Sequence, residues 1–382
     1  MPFQRAVVLV PLMMTSLMMT CAGCDSGPRY SEVVTVTPQI DQATLDQPPR
    51  KSRARQAAML ATFESHDDLQ TMCFFGDFEE LIAFHHLQFI SQNTSAGEGT
   101  GPFRGGALFA RRTSREGGIV AHNYDNESSQ LMVGWFYPTA GYRSVAFVPL
   151  ADLGYSPTQP FDATNESHRK SLIYAPVMSI EGMNERGVTV ILGSLPAQDV
   201  SPVTARESRY VMHLVREILD HAGTVNEAVA IAEKYNVFDF GLHTISHQIF
   251  LADARSGSAV LEWRNGVMHL VKDTGEWQVA AAGGMYDVSL AERRRADKGY
   301  DKLCAKVDQQ QEPVSWQSSL DVLAAVRQKN QKIKHAGKNM RVGTQWSAVF
   351  DSDRKEIHLS VEGNDKKVYL FSVAPEDNGS DM

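Results

Sequence analysis

At 382 residues the chain has room for one or two domains and a sizeable core. Hydrophobic residues make up 43% of it and charged residues 21%, with 9% aromatics, which excludes a wholly disordered, collagen-like or coiled-coil protein. The 37 basic and 45 acidic residues leave a formal charge of −8, without a basic face or interleaved aromatics, which argues against nucleic acid and phosphate-rich ligands as partners. Four cysteines, Cys21, Cys24, Cys73 and Cys304, are too few for a disulfide scaffold, and no paired CxxC spacing points to structural zinc.

The first twenty residues carry one early cation, Arg5, and then the low-polarity run AVVLVPLMMTSLMMT, which has the length of a signal peptide and not of a membrane span. It ends in Cys21-Ala22-Gly23-Cys24, which resembles a bacterial lipobox with Cys24 as the residue that receives lipid; Cys21 stands where an aliphatic residue is usual. An ordinary secretory signal cut nearby is the alternative, and either one exports the protein. Residues 25–57 are polar and proline-bearing without a sustained apolar period, so they read as a flexible tether. A lipid chain and tether would place the folded part outside the cell-envelope membrane.

From Asp77 the pattern becomes helical, with Phe78, Leu81, Ile82, His85, His86 and Phe89 on one side up to Asn93, inside an N-terminal helical segment spanning 58–103. The glycine-rich stretch SAGEGTGPFRGG follows no strand and opens no helix, so it lacks the context of a phosphate cradle. GALFARR and GIVAHNYD read as a β-hairpin, and LMVGWFYP, RSVAFVPL, LIYAPVMSI and GVTVILGS as further strands. A helix capped by Thr204 and stopped by Gly223, and a second opened by Thr224 with Glu227 as its capping-box partner, interrupt the series. Strands at 245–253, 258–264 and 266–272, helices near 289–307 and 317–331, and two closing strands complete an α+β layered pattern without internal repeats.

Several residues invite chemistry. His243 and His247 would meet on a helix, but HTISHQIFL is β-branched and alternating, and on a strand the pair is roughly 13 Å apart, too far for one ion. His85 and His86 diverge on a helix, so no metal site is expected. No G-x-S-x-G surrounds any serine. Cys73 and Cys304 stay open as a thiol nucleophile, a disulfide, or two packed small residues; Phe74 and Phe75 beside Cys73 favour packing.

Four segments, GIVAHNYD (118–125), EGMNERGV (181–188), IFLAD with Ser256-Gly257 and VLE (249–262), and TQWSAVFD (344–351), resemble in order and spacing the N-terminal nucleophile amidases of the choloylglycine hydrolase and isopenicillin N acyltransferase group. The resemblance covers about residues 104–373, followed by a tail at 374–382. It implies a four-layer αββα sandwich, no cofactor, and a small acylated amide or similar ligand as partner. In that group a cysteine exposed by self-cleavage attacks the amide while its own α-amine, with an ordinary pKa of about 7.7 to 8.0, serves as base. Asp125 matches the aspartate that orients this amine, His122 takes the place of a frequent arginine, and Asn184 matches an oxyanion-hole donor, a contribution worth roughly 10² to 10³ in rate. Each also has a plain structural role open to it: Asp125 as a turn cap and Asn184 as the support of the turn before Gly187. Arg293 and Arg341 are candidates for contacting substrate or are surface charges.

The nucleophile slot is the departure. By the group's spacing it falls at Gly106 or Ala107, in a segment without cysteine, serine or threonine. The stretch VAAAGG (279–284) likewise lacks the polar pair the group often carries. Two readings follow: a non-catalytic, exported binding or accessory lipoprotein, or an active amide hydrolase or acyltransferase using another nucleophile, with Cys73 the leading substitute.

Overall fold

The computed structural model describes residues 29–40, 42–46, 52–77, 108–112, 118–127, 129–199, 203, 205–239, 244–255, 257–272, 275–280, 284–310, 314–335 and 338–373. Two sheets face each other. The first runs edge to edge as Glu32–Val36, Lys367–Ser372, Glu356–Val361, Lys338–Asp351, Gly118–Asn126, Leu108–Arg112 and Trp277–Ala280, with Gln331–His335 also paired to Lys338–Asp351. The second runs Val267–Val271, Ser258–Arg264, Thr244–Ala252, Thr189–Asp199, Glu181–Asn184, Ser144–Pro149, Leu131–Tyr137, Leu69–Phe75 and Glu64–Ser65.

Alternation decides what each face buries. In Gly118–Asn126 the side chains of Val120 and Tyr124 enter the core between the sheets, while Ile119 and Ala121 join Phe109, Val349 and the helices Lys298–Asp308 and Trp316–Val326 in a separate apolar cluster. On the other side Val211–His221 buries Leu214, Val215 and Ile218 against the second sheet, next to Val225–Ala232. The result is an αββα sandwich, the α+β architecture expected.

Local chemistry explains most boundaries. Thr224 accepts from the Glu227 backbone N–H as the sequence suggested, but the Glu227 carboxylate accepts from the N–H of Gly223, one residue before the cap, so only half of the expected capping box forms. The helical stretch near 289–307 is two helices, Leu290–Ala296 and Lys298–Asp308, because Asp297 leaves the helical region and caps the second by accepting from Gly299 and Tyr300.

Four expectations differ. The helix read from Thr204 begins only at Val211, because Glu207–Tyr210 is a strand that pairs in parallel with Tyr235–Phe238. LIYAPVMSI is not a strand but the 3-10 helix Leu172–Met178, which follows the helix Glu166–Ser171; Pro176 has no N–H to give to a ladder. Within the stretch read as a flexible tether, Glu32–Val36 pairs in parallel with Lys367–Ser372 as an edge strand, and the helix Ser52–Ala61, which buries Met59, begins inside that stretch and runs past its end at residue 57. The EVVTV run could not reveal this partner, which lies more than 300 residues away in sequence. Within 58–103, Leu69–Phe75 is a buried strand parallel to Leu131–Tyr137. The lipobox, the expected helix beyond Asp77, Thr204, Gly106, Ala107 and the tail lie outside the described residues, as do His85, His86 and His243. No helix among the described residues is long and apolar enough to cross a membrane.

Candidate active site

His122 sits at the middle of its strand and points between the sheets. Its Nδ1 is 2.6 Å from Oε2 of Glu181, on the facing sheet, and the other oxygen of that carboxylate accepts from the Trp346 indole N–H at 2.5 Å. The Trp346 ring stacks on Tyr124 at 3.9 Å, and Asn126 donates to the Tyr124 hydroxyl. All of these side chains are buried, Glu181 completely. The AHNYD, EGMN and QWSAVFD segments therefore do meet, and the group in which they meet is this buried His–Glu–Trp knot.

Asp125 is three residues beyond His122 on the same strand, an odd number, and so has the opposite orientation. Its Oδ1 accepts from the Thr344 hydroxyl at 2.5 Å, and Thr344 Oγ1 in turn accepts from the Gln328 backbone N–H, just past the helix Trp316–Val326. Burial pushes the Asp125 carboxyl up from 3.8 to about 6, opposed by the Thr344 hydrogen bond and by His122 and Arg327. A carboxyl titrating in that range is suited to holding or passing a proton near neutrality.

Asn184 stands at the other end of the sandwich. Both of its amide hydrogens go to carbonyls closing the helix Val211–His221, Leu219 O at 2.9 Å and Ala222 O at 2.8 Å, while its oxygen accepts from Arg186 and Val188. That fills every hydrogen-bonding position of the side chain and supports the tight turn at Gly187, where φ is +80°. This turn packs on Ser352 and Lys355, beyond the Asp351 end of a strand whose Thr344 end holds Asp125. Seven residue steps along the strand separate Thr344 from Asp351, on the order of 20 Å. Asp125 and Asn184 thus face opposite helical layers from opposite ends. Of the two roles open to Asn184, the hydrogen bonds describe the support of the turn.

Cys73 lies in Leu69–Phe75, near the far edge of the second sheet. Its backbone N–H donates to Thr62 Oγ1, and burial pushes the thiol up to about 12, with the Thr62 hydrogen bond opposing and Glu64 adding to the rise. The groups that perturb it, Thr62 and Glu64, are not those around Asp125. Cys304 is also buried, on Lys298–Asp308, and both thiols are free, so the two do not form a disulfide. Arg293 donates from Nε to Val288 O and from Nη2 to Met285 O, bracing the turn before its own helix. Arg341 is exposed on Lys338–Asp351.

Sequence reasoning passed over several residues. Glu181 and Trp346 stand inside quoted motifs, and a carboxylate within an apolar strand was the available signal. His247 is on a strand as expected, yet its Nδ1 is 2.7 Å from Asp239, whose other oxygen accepts from the backbone and hydroxyl of Ser246. This buried histidine–carboxylate pair depends on a turn that pattern reading does not show. Asp253, in LAD, accepts from Arg255, Gly257 and Val225 and so ties its turn to the start of the helix Val225–Ala232. Among the described residues no three His, Cys, Asp or Glu side chains gather as a metal site.

No protein-family model matches the chain, and no curated protein matches it. Solved structures do resemble it: penicillin V acylase from Agrobacterium tumefaciens, at 17% identity and a TM-score of 0.48 over 67% of this chain and 83% of that one. Two variants of conjugated bile acid hydrolase from Clostridium perfringens resemble it at 10% identity and TM-scores of 0.47, covering 71% and 72% of this chain and 99% and 100% of theirs. At such identities and scores they assign no residue a role.

Proposed function

We propose that this chain is an exported, lipid-anchored relative of the linear amide hydrolases and acyltransferases that has kept their sandwich without their thiol chemistry, and that it acts as a binding or accessory protein for a small acylated amide or similar ligand. The observation that carries this reading is the glycine at position 106, where the resemblance calls for a sulfur. Glycine offers no atom to attack a carbonyl carbon. The reading is supported by the spent hydrogen bonds of Asn184 and by its distance from Asp125. A buried thiol pushed up to about 12 weighs against Cys73 as a replacement, because the thiolate is the nucleophile.

Intact-mass measurement on protein made without its leader, combined with turnover assays on simple N-acyl amides, tests this. The expected outcome is one uncut chain and no turnover. Cleavage ahead of Cys73, or hydrolysis that disappears in Cys73→Ala, would overturn it. For the anchor, metabolic labelling with palmitate should mark the protein and fail on Cys24→Ala; release of unlabelled protein from the cell would instead favour an ordinary secretory signal.

A further inference from the structure

At the end of the sandwich away from Asp125 the two sheets enclose a cavity of about 430 Å³. Well-packed interiors seldom leave voids larger than a water molecule, whereas small-molecule sites run from roughly 300 to 1,000 Å³. Its apolar walls include Trp135 and Tyr137 on the second sheet and Val36 and Val373 beside the first, and Ile40 and Leu45 of the N-terminal segment cover it. That segment is held there by the parallel pairing of Glu32–Val36 with Lys367–Ser372.

The polar groups of the cavity are unevenly matched. Trp135 is 4% exposed, and its indole N–H, which can only donate, has no acceptor among the described residues. The Arg143 guanidinium lies 5.8 Å from the centre of the Tyr137 ring, and no carboxylate among the described residues pairs with it. The neighbouring Glu185 accepts from the Arg143 backbone N–H and not from the guanidinium. On the other wall Glu356 is 3.3 Å from His358, and burial pushes its carboxyl up. Ser144 accepts from Arg216 at 2.5 Å. The cavity therefore has donors to spare and an apolar body.

We propose that this cavity binds a small amphipathic carboxylate of the medium-chain acyl or aryl-alkyl kind, with its chain between Val36, Val373, Ile40 and Leu45 and its carboxylate on the Trp135 N–H and the Arg143 guanidinium. The site goes beyond the function proposed above and does not depend on the state of position 106.

Calorimetric titration of the full chain with decanoate, decanol and decyltrimethylammonium tests it. Decanoate should bind once per chain, decanol at least about tenfold more weakly, and the cation not at all, since one charge-assisted pair is worth about a decade in affinity. Arg143→Met should weaken decanoate about tenfold and leave decanol unchanged. Trp135→Phe, which keeps the ring and removes the N–H, should also weaken decanoate. Arg143 is half-buried at the cavity mouth, so its variant decides the matter even if Trp135→Phe folds poorly. No decanoate binding, equal affinity for decanoate and decanol, or an unchanged Arg143→Met would each overturn the proposal. An uncut, inactive chain that fails to bind decanoate would sink only this site, and the function proposed above would stand.

Discussion

His122 on one sheet and Glu181 on the other approach to 2.6 Å inside the sandwich, and the Trp346 indole closes the second carboxylate oxygen. A carboxylate with no exposure is tolerable only when both oxygens are engaged. His122→Ala leaves Glu181 half-satisfied in the core and should cost about 3 to 5 kcal/mol of stability, as read by urea unfolding. A double-mutant cycle with Glu181→Gln should give a coupling of about 1 to 3 kcal/mol. A coupling near zero would show that the contact does not hold the sheets together.

Asp125 makes stability fall with rising pH. Its folded-state carboxyl titrates at about 6, against 3.8 ordinarily, so between about pH 4 and 6 the native state holds a proton that the unfolded chain has lost. The sign is therefore negative: this contribution is complete below the lower value and is lost as pH rises through the upper one, by up to about 3 kcal/mol. Asp125→Asn keeps an acceptor for the Thr344 hydroxyl and should flatten the melting temperature against pH across that window relative to the parent. Parallel curves would refute the assignment.

Asn184→Ala removes four hydrogen bonds at once, two of them from the carbonyls ending the helix Val211–His221. A loss of about 2 to 4 kcal/mol is expected. Amide hydrogen exchange should quicken at Arg186 and Val188 before it quickens in the sheets. If those two amides keep their protection, the side chain is not what secures the turn.

Cys73 should be inert in the native state. With its thiol held up to about 12, the thiolate fraction at pH 8 is very small, and the side chain is buried as well. Peptide mapping after N-ethylmaleimide should find Cys73 and Cys304 modified only when denaturant is present. Rapid native labelling of Cys73 would reopen its candidacy as a nucleophile.

The layered architecture was legible because strand and helix periods are local: GIVAHNYD, LMVGWFYP and the Thr224–Glu227 cap announce themselves within ten residues. LIYAPVMSI misled because a buried 3-10 helix is as apolar as a buried strand, and Pro176 was the one discordant residue. The motif residues most open to chemical reading, Asp125 and Asn184, proved to lie far apart. The residues that join those motifs, Glu181 and Trp346, carry no period and no spacing that marks them.

From its letters alone this chain declares two kinds of regular structure in layered order, since strand and helix periods are properties of neighbours in sequence. Which side chains touch was decided by folding. The pairing of Glu32–Val36 with Lys367–Ser372, the His122–Glu181 bridge and the cavity beside Arg143 arise only when two sheets close on each other, because burial acts between surfaces that sequence distance does not order.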